Sequence, residues 1–169
     1  MNDRIRQTLG LTLAFFPGTV FVFGLWNLKA KEVVSWRFPT IPWELWVMSL
    51  TGTAALVAAV GDWYFHAFTA KGKVSAIEEQ GEIVALAGGA TMFGLMAFAS
   101  LISNPRTLLI PIIVVLIFTV VMICHDEFVF HRRRCGRYEN FLHKIIIFGN
   151  GIAWLSWFHW IFVRVRFPF

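Results

Sequence analysis

Three times in this chain a carboxylate stands four residues before a histidine. Asp62 precedes His66 in GDWYFH, Glu127 precedes His131 in EFVFH, and Glu139 precedes His143 in ENFLH. The chain has only five histidines and ten acidic residues among 169, so chance rarely pairs three of the five in this way. On an α-helix, positions i and i+4 are about 40° apart around the axis and face the same direction. Each pair therefore presents one carboxylate oxygen and one imidazole nitrogen to a common point. Mixed carboxylate and imidazole donors suit iron, manganese or zinc. Helix-borne Glu and His side chains build the di-iron and di-manganese centres of helical bundles, although there the spacing is Glu-x-x-His, one residue shorter than here. Asp62, His66, Glu127, His131, Glu139 and His143 are thus the candidate metal ligands. The same spacing also produces plain ion pairs on a helix surface. Convergence of the three pairs in space separates the two readings.

Other polar residues surround these pairs in the sequence. His125 and Asp126 immediately precede Glu127 and are candidates for a further ligand or for a group that orients one. Glu79 and Glu82, in VSAIEEQGE, are candidates for the same level. Asn150, in GNG, falls on the Glu139/His143 stripe and either lines a substrate path or bonds a neighbouring helix; Gly149, Gly151 and the Gly88-Gly89 pair would permit close approach. His159 sits in SWFHW, where an interfacial anchoring role is expected. The two cysteines, Cys124 and Cys135, make no disulfide framework and read as free thiols. No phosphate-cradling glycine loop and no H-E-x-x-H motif occurs.

Over His125 to about Arg133, the stretch HDEFVFHRR resembles a histidine box of the membrane di-iron hydroxylases, nearest to that of the carotenoid-ring hydroxylases. The resemblance implies iron and oxygen chemistry. The other boxes of that superfamily contain adjacent His-His pairs, which this chain lacks.

The elements that must carry these residues are membrane helices. Hydrophobic residues make up 57% of the chain and its mean hydropathy is +0.66. Typical soluble domains are about 45–50% apolar, so the excess calls for a lipid solvent. A spanning helix needs about 20 apolar residues, and the sequence predicts five of them, over about 8–28, 43–69, 83–103, 108–131 and 138–163. The fold class expected is an all-α integral membrane bundle in one domain. Pro111 is tolerated in the first turn of the fourth helix, and Asn104-Pro105 predicts a tight turn before it.

Loop charges orient the bundle. Eight basic residues (Arg4, Arg6, Lys71, Lys73, Arg132, Arg133, Arg134, Arg137) fall on one side and six (Lys29, Lys31, Arg37, Arg106, Arg164, Arg166) on the other. The positive-inside rule places the N-terminus and all three acid–histidine pairs at the cytoplasmic boundary, with the C-terminus opposite. The net charge of +5 then reflects topology and contact with anionic headgroups, not nucleic acid.

These features together predict a membrane metalloenzyme with a di-metal centre, di-iron first and zinc or manganese next. Its expected chemistry is hydroxylation or desaturation of a lipid or other apolar substrate, with a separate electron donor. A zinc-dependent lipid hydrolase would use similar residues. A haem-binding electron-transfer protein would use two of the histidines, and a non-catalytic subunit or assembly factor of a membrane complex needs none of them. The sequence sets no oligomeric state.

Overall fold

The computed structural model describes residues 3–30, 41–68, 76–125, 127 and 136–164, with side-chain surroundings for all of these except 3–7, 27–30, 76–79 and 82. The described residues form five helices long and apolar enough to cross a membrane, with no strand among them. The protein is a multi-pass all-α membrane bundle, as the sequence predicts.

The helices are α1 (Asp3–Ala30), α2 (Trp43–Phe68), α3 (Ala76–Leu101), α4 (Leu109–His125) and α5 (Arg137–Phe158). α1 runs unbroken through Pro17. α3 begins seven residues before the apolar run that announces it. Its extra turns are acidic, and Glu and Asp favour a helix N-terminus because the exposed N–H groups carry partial positive charge. Asn104-Pro105 makes the expected turn, leading into a 3-10 turn at Pro105–Leu108. The Thr107 N–H and hydroxyl both donate to the Asn104 carbonyl. α4 is described to His125, and its expected end at 131 lies outside the described residues. Glu127 is in a π-helical turn, and 128–135 lie outside the described residues. α5 continues from Phe158 as a π-helical turn, His159–Arg164.

α2 and α5 pack antiparallel along their lengths and form the most extensive helix pair. α1 packs on α2 and α3, and α4 packs on α3. Close packing differs between the two halves of the bundle. In one half, Trp154 and Trp157 of α5 and Trp160 and Ile161 of the turn after it form one buried cluster with Met92, Phe93, Met96 and Ala99 of α3, Leu45 and Met48 of α2, and Ile112 of α4. The indoles are satisfied, Trp157 donating to the Ser100 hydroxyl at 3.0 Å and Trp154 to the Met92 carbonyl at 3.5 Å.

In the other half the helices meet through small residues. A Cβ on Gly149 would stand 2.8 Å from the Thr51 carbonyl oxygen and 2.9 Å from the Ala55 Cβ, and a Cβ on Gly88 would stand 2.8 Å from the Thr119 hydroxyl. Gly149 and Gly88 therefore provide the close approaches that their doublets suggest. Gly151 and Gly89 face open space. Outward faces carry many large apolar side chains: Phe141, Phe148, Ile152 and Leu155 on α5 and Ile110, Val114, Ile117 and Val121 on α4 are all exposed. Lipid is the solvent that such faces require.

Candidate metal centre at the Asp62 end

The antiparallel α2–α5 pair fixes where the polar residues meet. The end of α2 carries Asp62 and His66, and the start of α5 carries Glu139 and His143. Leu142 of α5 packs beside Gly61 of α2 at this level, its methyl carbons 3.7 Å from where a Gly61 Cβ would be. The two acid–histidine pairs then face each other across the helix interface.

The contacts form a single chain. His143 Nδ1 is 3.0 Å from Glu127 Oε1, and His143 Nε2 is 3.4 Å from Asp62 Oδ1. Asp62 Oδ1 is 3.7 Å from His66 Nε2, which is 3.1 Å from Glu139 Oε1. Five of the six predicted ligands are thus contiguous. They come from α2, from the turn after α4 and from α5. The sixth, His131, and the neighbouring Asp126 lie outside the described residues. Glu79 and Glu82 are on the first turns of α3, and their side chains are outside the described set. His125 ends α4 with its side chain exposed. Asn150 is half-buried about two helical turns beyond His143, so it does not reach the cluster. Cys124 is a free, exposed thiol.

Proximity in this chain is not the same as hydrogen bonding. Glu127 Oε1 accepts a hydrogen bond from His143 Nδ1. By contrast, Asp62 Oδ1 and Glu139 Oε1 are buried oxygens without a hydrogen-bond partner. Their histidine neighbours stand 3.1–3.7 Å away. Among the described residues, the ionic partners of Asp62, Glu127 and Glu139 are imidazoles, and no lysine or arginine pairs with them. Burying a carboxylate without a donor or a counter-charge costs several kcal/mol, of the order of a lost charged hydrogen bond or more. Such oxygens suit a cation. The donor set is therefore chemically right for a metal, although among the described residues no three His, Cys, Asp or Glu side chains converge as a finished metal-binding group.

A second polar group, at the opposite end of the same helix pair, escaped the sequence reading. Glu44, in the first turn of α2, is fully buried. Its Oε1 accepts from His159 Nδ1 at 2.9 Å and its Oε2 accepts from Arg164 Nη1 at 2.6 Å. Trp43 packs against the His159 ring at 5.4 Å between centroids. The expected interfacial position of His159 is compatible with this, but its partner is a buried acid 115 residues away, invisible to any local pattern. The available signal was Glu44 itself, an acid flanked by Trp43 and Trp46 at the start of an apolar run.

Comparison with protein-family models, with curated proteins and with solved structures returns no match to this chain. The functional reading therefore rests on the site alone.

Proposed function

We propose that this protein is an integral membrane metalloenzyme whose metal centre lies at the Asp62 end of the α2–α5 pair. The supporting observation is that Asp62, His66, Glu127, Glu139 and His143 form one contiguous chain of contacts while two of its buried carboxylate oxygens lack a hydrogen-bond partner. The carboxylates would neutralise a cation's charge and the imidazoles would give it neutral nitrogen ligands. When bound, such a metal supplies a Lewis acid or, as iron, a site for oxygen chemistry. The helices around it would hold the ligands, and a lipid or other apolar substrate would reach the site from the bilayer. Oxidation of that substrate, with iron as the metal and a separate electron donor, is the chemistry proposed first. In this reading the Asp62 end faces the cytoplasm.

Two geometric points bear on the rivals. Both ring nitrogens of His143 lie beside carboxylate oxygens, at 3.0 and 3.4 Å, an environment that haem ligation does not require. The two-imidazole, two-carboxylate set made by Asp62, His66, Glu139 and His143 also suits zinc, so hydrolysis of a lipid is the second reading.

Elemental analysis of the protein, expressed with iron and zinc replete and purified in detergent, tests the proposal. Stoichiometric metal that disappears in His66→Ala and in Asp62→Ala is the expected result, and wild-type protein without bound metal overturns it. Mass spectrometry of lipids from cells expressing the protein then distinguishes the chemistries. Oxygen insertion or loss of two hydrogens marks oxidation, and a released headgroup or acyl chain marks hydrolysis.

A further inference from the structure

α5 opens with a stripe that plays no part in the proposed metal centre. Arg137, Phe141, Lys144 and Phe148 stand at i, i+4, i+7 and i+11, and all four are exposed. At this spacing the four fall within an arc of about 60° around the helix. Ile152 and Leu155, both exposed, continue the same face deeper into the bilayer. The stripe is thus basic and aromatic at the start of the helix and apolar beyond it. α2 packs on a different face of α5, through Leu142 and Gly149.

The two cations on this face lack a counter-charge from the protein. Lys144 lies seven residues inside a spanning helix. It follows His143, whose ring reaches Asp62, so it stands level with the polar cluster. An ammonium facing hydrocarbon is costly unless it reaches water or an opposite charge. Among the described residues neither Lys144 nor Arg137 has an ionic partner. The one acid of α5, Glu139, is buried and turned to His66. Helical side chains lean towards the helix N-terminus. A Lys144 stem that follows this lean carries its ammonium towards the headgroups and towards Arg137, which is about 10 Å away along the axis. A second copy of this chain meeting the face by two-fold symmetry would set the cations against one another, with no acid on the face to offset them. A lipid that is negative at its head and apolar below matches the whole stripe.

We infer that this face of α5 binds a phospholipid of net negative charge from the surrounding leaflet. Its phosphate is held between Arg137 and Lys144, and its acyl chains lie along Phe148, Ile152 and Leu155. Arg137 supplies a planar fork that suits phosphate oxygens, and Lys144 a point charge on a flexible stem. The site is on the outward face of α5, so it stands whether or not the inward-facing cluster holds a metal. Near an anionic membrane surface each such cation strengthens association about fivefold. A zwitterionic phospholipid brings the same phosphate and chains but also a cation of its own, so it should bind more weakly.

Native mass spectrometry of the full chain in detergent, titrated with phosphatidylglycerol and with phosphatidylcholine of the same acyl chains, tests this. Wild type should retain one phosphatidylglycerol in preference to phosphatidylcholine. Lys144→Gln and Arg137→Gln should each weaken that binding about fivefold and the double variant about 25-fold, while Lys144→Arg should retain it. Equal binding of the two lipids by wild type, or undiminished phosphatidylglycerol binding by the double variant, would overturn the inference. So would a lipid-free dimer that Phe148→Ala dissociates, because the face would then belong to a second copy.

Discussion

Glu44 and Glu139 are buried carboxylates on the same antiparallel helix pair, and the protein treats them in opposite ways. Glu44 and Asp62 are eighteen residues apart on α2, which is about 27 Å at 1.5 Å per residue. The two polar groups therefore bracket roughly one hydrocarbon thickness of about 30 Å. At the Glu44 end both carboxylate oxygens have well-placed donors, one of them a guanidinium. The surrounding core is dense with tryptophan and methionine. Among the described residues, the carboxylates at the Asp62 end have imidazoles as their ionic partners, and two of their oxygens lack a hydrogen-bond partner. One end is a fastening that ties the start of α2 to the end of α5. At the other, carboxylates of one helix meet imidazoles of the facing helix without closing a complete hydrogen-bond network.

This contrast can be broken most directly by removing ligands. Asp62→Ala should lower the affinity for bound metal by at least about 100-fold, because it removes the middle donor of the set, while Glu44→Ala should leave metal content unchanged; elemental analysis of the two variants side by side decides. Loss of metal in both would mean that the two ends are not independent.

Stability should respond in the opposite sense. Glu44→Ala strands Arg164 and His159, and breaking a fully buried pair costs about 3–5 kcal/mol. Arg164 and His159 are 46% and 42% exposed and can turn to water, so about 2 kcal/mol is expected, read as a lower unfolding midpoint in detergent. In the metal-free protein, Glu139→Gln should be neutral or stabilising by up to about 1 kcal/mol, since it removes a buried charge that lacks a donor. With metal present the same variant should lose the stabilisation that the ion gives wild type, seen as a thermal midpoint that no longer rises on adding metal.

The smallest effects test the small-residue half of the bundle. Gly149→Ala meets backbone and Cβ atoms at under 3 Å and should destabilise by about 1–3 kcal/mol. Gly151→Ala meets nothing within 4 Å and should stabilise by about 0.5–1 kcal/mol through helix propensity. Equal midpoints for the two variants would show that the α2–α5 approach at Gly149 is looser than described.

Much of this molecule is legible along the chain. Runs of about 20 apolar residues mark five helices because lipid forces every spanning backbone to satisfy itself as a helix. Spacings of four mark the acid–histidine pairs because the helix puts i and i+4 on one face. Boundaries are less legible where polar residues extend a helix, as in the first turns of α3. The predicted end of the fourth helix at 131 lies outside the described residues.

The sequence by itself determined the five helices and the residue types available at each boundary, since both follow from local periodicity and transfer into lipid. Only the tertiary structure decided the pairings. That His66 meets Glu139 as well as its own Asp62, and that Glu44 is closed by His159 and Arg164, depend on α2 and α5 running antiparallel at close range, while Glu127 meets His143 because the turn after α4 comes up to α5. Contacts between residues up to 120 apart leave no local trace in the chain, because they are set by which helix faces pack and not by the spacing along either helix.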